Sequence, residues 1–223
     1  LLTVNTSYKK SELKYLLEHS EADNVVIMDS YRDTDYVNTL YELVSELRTQ
    51  PRGKIQSKDF PNMKRVIFLG PDKHRGMYTM PEITGMARMI DDQEFAARQA
   101  TLSPDDVVNM QYTSGTTGFP KGVMLTHNSI GLNGYHIGKN QAFTHKDRLC
   151  LTVPLFHCFG CVLGVLACVH HGVTMVVLET FKPVDAMMAV EKEKCTALYG
   201  VPTMFIAILD HDLFGKFSYL SLR

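Results

Sequence analysis

Apolar residues recur along this chain in two rhythms. At 12–19, Leu13, Leu16 and Leu17 fall at the three- and four-residue spacing of one helix face. At 35–47 the same spacing joins Val37, Leu40, Tyr41, Val44 and Leu47. Short, nearly unbroken apolar runs at 25–28 and 65–69 read instead as buried strands. In the second half the two rhythms alternate. Strand-like runs at 149–153, 173–178 and 196–200 are followed by helical patterns at 159–170, 184–194 and 203–211. That order predicts an α/β fold, a largely parallel sheet with helices on both faces. A helix at 128–140 is weakened by Gly131, Gly134 and Gly138, and another is expected at 92–98 within 76–100. The segment 50–62 reads as an irregular surface connection. Neither a sequence repeat nor an internal domain boundary is visible, so one partial domain over 1–223 is expected.

One interval breaks both rhythms. Residues 107–112 and 122–126 read as strands, and between them runs Thr113-Ser114-Gly115-Thr116-Thr117-Gly118-Phe119-Pro120-Lys121-Gly122. Such a loop can turn backbone N–H groups, hydroxyls and one ammonium toward a polyanion, because glycine lets the backbone approach closely. A Walker loop requires Gly before its lysine and Ser or Thr after it; here Pro120 and Gly122 stand there. A dinucleotide fingerprint requires Gly-x-Gly-x-x-Gly opening a helix, and neither the spacing nor the helix is present. A ligand-free hairpin is the plainer alternative. Most hairpin loops are two to five residues long, and this one is longer and carries a lysine, which favours a phosphate ligand.

The run 113–122 resembles the signature loop of the adenylate-forming superfamily, which includes acyl-CoA synthetases, adenylation domains of peptide synthetases and beetle luciferases. Three further segments are similar to that family in the same order. They are Asn5-Thr6-Ser7-Tyr8-Lys9-Lys10-Ser11-Glu12-Leu13, Pro154-Leu155-Phe156-His157-Cys158-Phe159-Gly160 and Tyr199-Gly200-Val201-Pro202-Thr203-Met204-Phe205. The resemblance covers essentially the whole chain and is strongest toward medium- and long-chain fatty acyl-CoA synthetases. It implies ATP-dependent conversion of a carboxylate to an acyl-adenylate and then an acyl-CoA, with ATP, Mg²⁺ and coenzyme A as cofactor or cosubstrates. An aryl or other non-fatty carboxylate is the alternative substrate, and a non-catalytic nucleotide-binding domain the alternative from another class. The family's Tyr-Gly-x-Thr-Glu and Gly-Asp segments, its hinge and its small C-terminal domain with a catalytic lysine have no counterpart in this sequence. The chain therefore reads as an internal piece of the large N-terminal domain, expected to be inactive by itself.

By the same resemblance, Thr113, Ser114, Gly115, Thr116, Thr117 and Gly118 cradle the β- and γ-phosphates, and Thr117 reaches the Mg²⁺ shell. Lys121 either pairs with phosphate or ties the loop to a carboxylate or carbonyl. His157 follows an apolar run where a strand should end, the place where α/β crevices form. With Phe159 it is expected to border the acyl group and carboxylate, although a histidine here can also be a hydrogen-bonded core residue. A fatty carboxylate is ionised near neutral pH, so His157 is expected to shape the pocket rather than act as a base. Tyr199 and Gly200 are expected to line the same crevice.

Composition narrows the setting. With 45% hydrophobic and 21% charged residues among 223, the chain is of the ordinary globular class. A formal charge of −1 gives no electrostatic reason for nucleic acid as a partner. The longest apolar run, 158–169, is too short for the roughly 20 residues of a membrane span. Five cysteines cannot all pair, which suits a reducing, cytoplasmic setting. Cys158 and Cys161 have the first half of a zinc spacing but no second half, so they read as packing. The expected partners are a small carboxylate, ATP and coenzyme A, and a homodimer is compatible with the resemblance.

Overall fold

The computed structural model describes residues 1–113 and 119–223. The chain divides into two compact units, Val4–Leu102 and a second made of Leu1–Thr3 with Ser103–Arg223.

In the first unit, α1 (Lys10–Ser20) begins where Lys9 N donates to the Glu12 carboxylate, and it buries Leu16 and Leu17. Strand β1 (Asn24–Ile27) leads to a small antiparallel pair, β2 (Ser30–Tyr31) and β3 (Thr34–Asp35). Asp35 then caps α2 (Tyr36–Leu43) by accepting from Asn38 N. The helix expected over 35–47 breaks at Val44 (φ −122°, ψ 74°) and resumes as a 3₁₀ turn, Ser45–Arg48. That change of path puts both Val44 and Leu47 fully into the core.

Strands β4 (Arg65–Phe68) and β5 (Met77–Thr79) complete a parallel sheet in the order β1-β4-β5. Helix α3 (Met80–Met86) starts with a capping box: Thr79 N donates to Glu82 Oε2, and Thr79 Oγ1 accepts from Glu82 N. That backbone bond, with Arg52 Nη1 2.8 Å away, draws the Glu82 carboxyl down to about 2. Helix α4 (Asp92–Ala100) is capped by Asp91 and buries no residue.

The second unit opens with an antiparallel hairpin, β6 (Val107–Thr113) and β7 (Lys121–Thr126). Thr126 caps α5 (His127–Asn140) by accepting from Ser129 N. Strand β8 (Arg148–Leu151) leads through 152–158 into a π-helical stretch, Phe159–Leu166, which continues as α6 (Ala167–His171). There follow β9 (Thr174–Val177), α7 (Pro183–Glu193), β10 (Ala197–Tyr199) and α8 (Pro202–Leu209). The parallel order is β10-β8-β9, with Cys150 opposite both Leu198 and Val176.

Central β8 is buried on both faces. Leu149 and Leu151 pack with Phe143, Val153, Cys168, Val173 and Tyr199, whereas Cys150 packs with Val190 and Cys195. This is the expected arrangement of a parallel strand between helical layers. The glycines that weaken α5 in the sequence have a packing role. A Cβ on Gly134 would stand 2.8 Å from Leu166 Cβ, so glycine allows the helix to approach the π-helical stretch closely.

The amino ends of these strands are tied by buried Asp147. Its carboxylate accepts from Arg223 Nε and Nη2 (2.8 and 2.9 Å), Thr196 Oγ1 (2.8 Å) and Thr144 N (2.8 Å). The Arg223 guanidinium, with the bonds from Thr196 and Thr144, holds this carboxyl well below the usual carboxylate range.

Candidate functional site

The hairpin brings Thr113 and Lys121 opposite each other as its last ladder pair, so the signature loop leaves and re-enters the sheet at one point. Ser114, Gly115, Thr116, Thr117 and Gly118, the expected phosphate cradle and Mg²⁺ contact, lie outside the described residues. Lys121 is exposed, and among the described residues no carboxylate lies within ion-pair distance of its ammonium. Gly122 sits under two side chains from the facing strand. A Cβ there would stand 3.0 Å from Met110 Sδ and 3.2 Å from Tyr112 Cζ.

His157 and Phe159 follow the carboxyl end of β8, and Tyr199 and Gly200 stand at the carboxyl end of its parallel neighbour β10, with Phe159 and Tyr199 in ring contact. That is the side of an α/β sheet on which ligands bind. His157 is exposed rather than a core residue. Its Nδ1 accepts the Phe159 backbone N–H at 3.1 Å, so the neutral ring carries its proton on Nε2. The turn beneath it is closed by His157 N donating to Pro154 O, and Cys161 N donates to His157 O one turn on. Gly160 makes this turn compact: a Cβ there would collide with the Pro154 carbonyl.

Phe159 is half-buried, its ring centroid 5.3 Å from that of Tyr199. Tyr199 lies deeper. Its hydroxyl is 2.7 Å from Gln141 Oε1 and 3.1 Å from Leu163 O, and burial pushes the phenol up. The ring forms a floor under Phe159 and keeps its polar end inside the unit. Thr152 Oγ1 donates to Tyr199 O and fixes the two strand ends side by side just before Gly200.

Two residues not among the expected site residues join this region: Gln111, and Cys158, which the sequence reads as packing. Cys158 Sγ donates to Gln111 Oε1 at 2.9 Å, joining the turn that carries His157 to the strand that leads into the signature loop. The available clue was a polar alternation, Asn109 and Gln111, inside an otherwise apolar strand. Among the described residues no three His, Cys, Asp or Glu side chains converge as a metal site. No helix among them is long and apolar enough to cross a membrane. A surface cavity of about 720 Å³ lies elsewhere, bounded by Val176, Asp185 and Met188, and touches none of the candidate residues.

The family profile described as AMP-binding enzyme matches residues 1–223. The putative acyl-CoA synthetase YngI of Bacillus subtilis (strain 168) is 48% identical over all of this chain, which covers 41% of that protein. The mitochondrial medium-chain acyl-CoA ligase ACSF2 of Danio rerio is 34% identical, again over the whole chain, covering 37% of the relative. The chain thus spans about two fifths of the length of these relatives. Among solved structures, the anthranilate CoA ligase AuaEII in complex with anthranoyl-AMP matches 99% of this chain and 38% of its own. The TM-score is 0.71 at 22% identity, a likeness of fold.

Proposed function

The chain belongs to the AMP-binding enzyme family, and on that footing we propose that the full-length protein is an AMP-forming acyl-CoA synthetase acting on a fatty carboxylate. The carboxylate oxygen attacks the α-phosphorus of ATP, and the bond to the β-phosphate oxygen breaks to release pyrophosphate. The thiol of coenzyme A then displaces AMP and leaves the thioester. The match over the whole chain is the observation that carries this reading. Its relatives' names support a fatty acid over an aryl acid, since a medium-chain acyl-CoA ligase is among them.

The chain's own residues divide the work. The loop from Thr113 through Gly118, with Lys121, neutralises the triphosphate, and in this type of chemistry fixed donors and positioning supply most of the catalysis. Thr117 is the residue proposed to reach Mg²⁺, which would supply further neutralisation of the triphosphate charge. Nε2–H of His157 is the donor for the carboxylate or the oxygen it shares with phosphorus, while Phe159 packs along the chain of the acid. Tyr199 supports Phe159 from beneath, and Gly200 lets the Phe205 ring pack close against the strand end, a Cβ there standing 3.2 Å from it.

Assay of pyrophosphate exchange into ATP by the full-length protein, across acids of graded chain length, tests the reading. Exchange that rises with alkyl length supports it; exchange only with aryl acids transfers the function to the alternative class. Lys121→Ala is expected to lower kcat/KM for ATP by about 10- to 100-fold, the scale of one charge-assisted contact. Unchanged exchange in this variant removes the phosphate role of Lys121.

A further inference from the structure

Strand β6 points two polar side chains inward. Asn109 and Gln111 are 2% and 4% exposed and, two residues apart, share one strand face. Gln111 Oε1 accepts from Cys158 Sγ at 2.9 Å. Gln111 Nε2 and Asn109 Oδ1 are buried with no partner among the described residues. A buried amide nitrogen without an acceptor is destabilising, and a leucine at this position would avoid that cost. Stability therefore gives no account of Gln111, whereas its location does. It stands two residues before Thr113, where the signature loop begins, and its partner directly follows His157.

We propose that Gln111 and Cys158 are positioning residues whose hydrogen bond sets the separation between the end of β6 at Thr113, from which the signature loop departs, and His157. The inference rests on the AMP-forming reading and deepens it. Attack at the α-phosphorus requires the carboxylate to lie in line with the leaving pyrophosphate, and a misplacement of about 1 Å can cost 100-fold. ATP is held from one segment and the acid from the other, so a bond between their roots controls alignment more than either affinity. With Nε2 unpartnered among the described residues, the Cys158 thiol is the side-chain partner there that fixes the amide plane.

Steady-state pyrophosphate exchange by full-length Cys158→Ala, Cys158→Ser, Gln111→Leu and the Cys158→Ala/Gln111→Leu double variant tests this, with thermal melts alongside. Cys158→Ala is expected to lose about 10- to 30-fold in kcat, with KM for ATP and acid within about threefold of wild type. Serine keeps a donor and restores most of kcat, and the double variant is no worse than the worse single one. Where Cys158→Ala melts early, Cys158→Ser and Gln111→Leu carry the same contrast. Wild-type kcat in Cys158→Ala, failure of serine to rescue, or losses that multiply in the double variant overturn the inference. Exchange absent from the wild-type enzyme removes the AMP-forming reading and this inference together; exchange present and unimpaired in Cys158→Ala removes this inference alone.

Discussion

Gly160→Ala in the full-length enzyme is expected to cost about 3 kcal/mol of stability and about 100-fold in pyrophosphate exchange. The added methyl carbon would sit 2.7 Å from the carbonyl carbon of Pro154, 3.0 Å from Leu155 Cα, and nearer still to Pro154 O. These are backbone atoms, so no side chain can swing aside to relieve the contact. The relief must come from the 154–157 turn, which ends at His157 and is closed by the bond from His157 N to Pro154 O. Strain and misplacement of His157 are thus one event, and stability and rate fall together. Gly131→Ala is the control. There a Cβ meets only His170 Nε2, at 4.0 Å, and alanine is the better helix former, so the variant should be at least as stable as wild type. Denaturant unfolding and exchange on both variants check the pair. Gly160→Ala with wild-type values would show that the turn can move without consequence.

Asp147→Ala should separate stability from catalysis. Asp147 is 4% exposed and accepts from groups on three segments, Thr144, Thr196 and Arg223. Removing it leaves the Thr144 N–H and Thr196 hydroxyl without this acceptor, at a cost of about 3 kcal/mol. The loss has a defined pH dependence. The folded carboxyl is depressed below its ordinary 3.8, chiefly by the Arg223 guanidinium, so the folded state favours the ionised form. Its contribution is complete above about pH 5, where the unfolded group is ionised as well, and declines as pH falls through the acid range. The gap between wild type and Asp147→Ala in denaturant unfolding should therefore be widest at neutral pH and narrow steadily below about pH 4. A gap independent of pH would remove charge from the explanation. Since Asp147 lies before the amino end of β8, KM for ATP and acid should stay near wild type.

Much of this architecture is legible in the sequence because each long element carries its own period. The alternating runs of the second half become β8, β9 and β10 with helices between them, each within a few residues of the expected bounds. Strand β5 escapes because three residues, Met77–Thr79, are too few to show alternation. The break in α2 is invisible because Val44 and Leu47 fit a continuous helix by spacing, although the fold buries them by leaving it. The glycines of α5 suggest a weak helix, yet Gly134 is there for close packing against a segment 32 residues away, which local propensity cannot show.

The candidate site divides in the same way. The proposed phosphate loop stands out in the sequence because its candidate donors are consecutive. His157 and Phe159 are readable because they follow a strand, and the family resemblance gives that position a meaning. The bond between Gln111 and Cys158 joins residues 47 apart and takes its significance only from what stands beside each partner. Neither residue is unusual alone: Cys158 fits helix packing, and Gln111 is one polar residue in a strand.

The central claim is that a carboxylate oxygen attacks the α-phosphorus of ATP. The direct measurement uses a fatty acid labelled with ¹⁸O at both carboxylate oxygens, incubated with the full-length protein, ATP and coenzyme A, followed by mass spectrometry of the products. The mechanism predicts one ¹⁸O in each AMP, because the bridging oxygen of the acyl-adenylate leaves with AMP when the thiol displaces it. Label in inorganic phosphate with ADP as the nucleotide product, or AMP free of ¹⁸O, would contradict it.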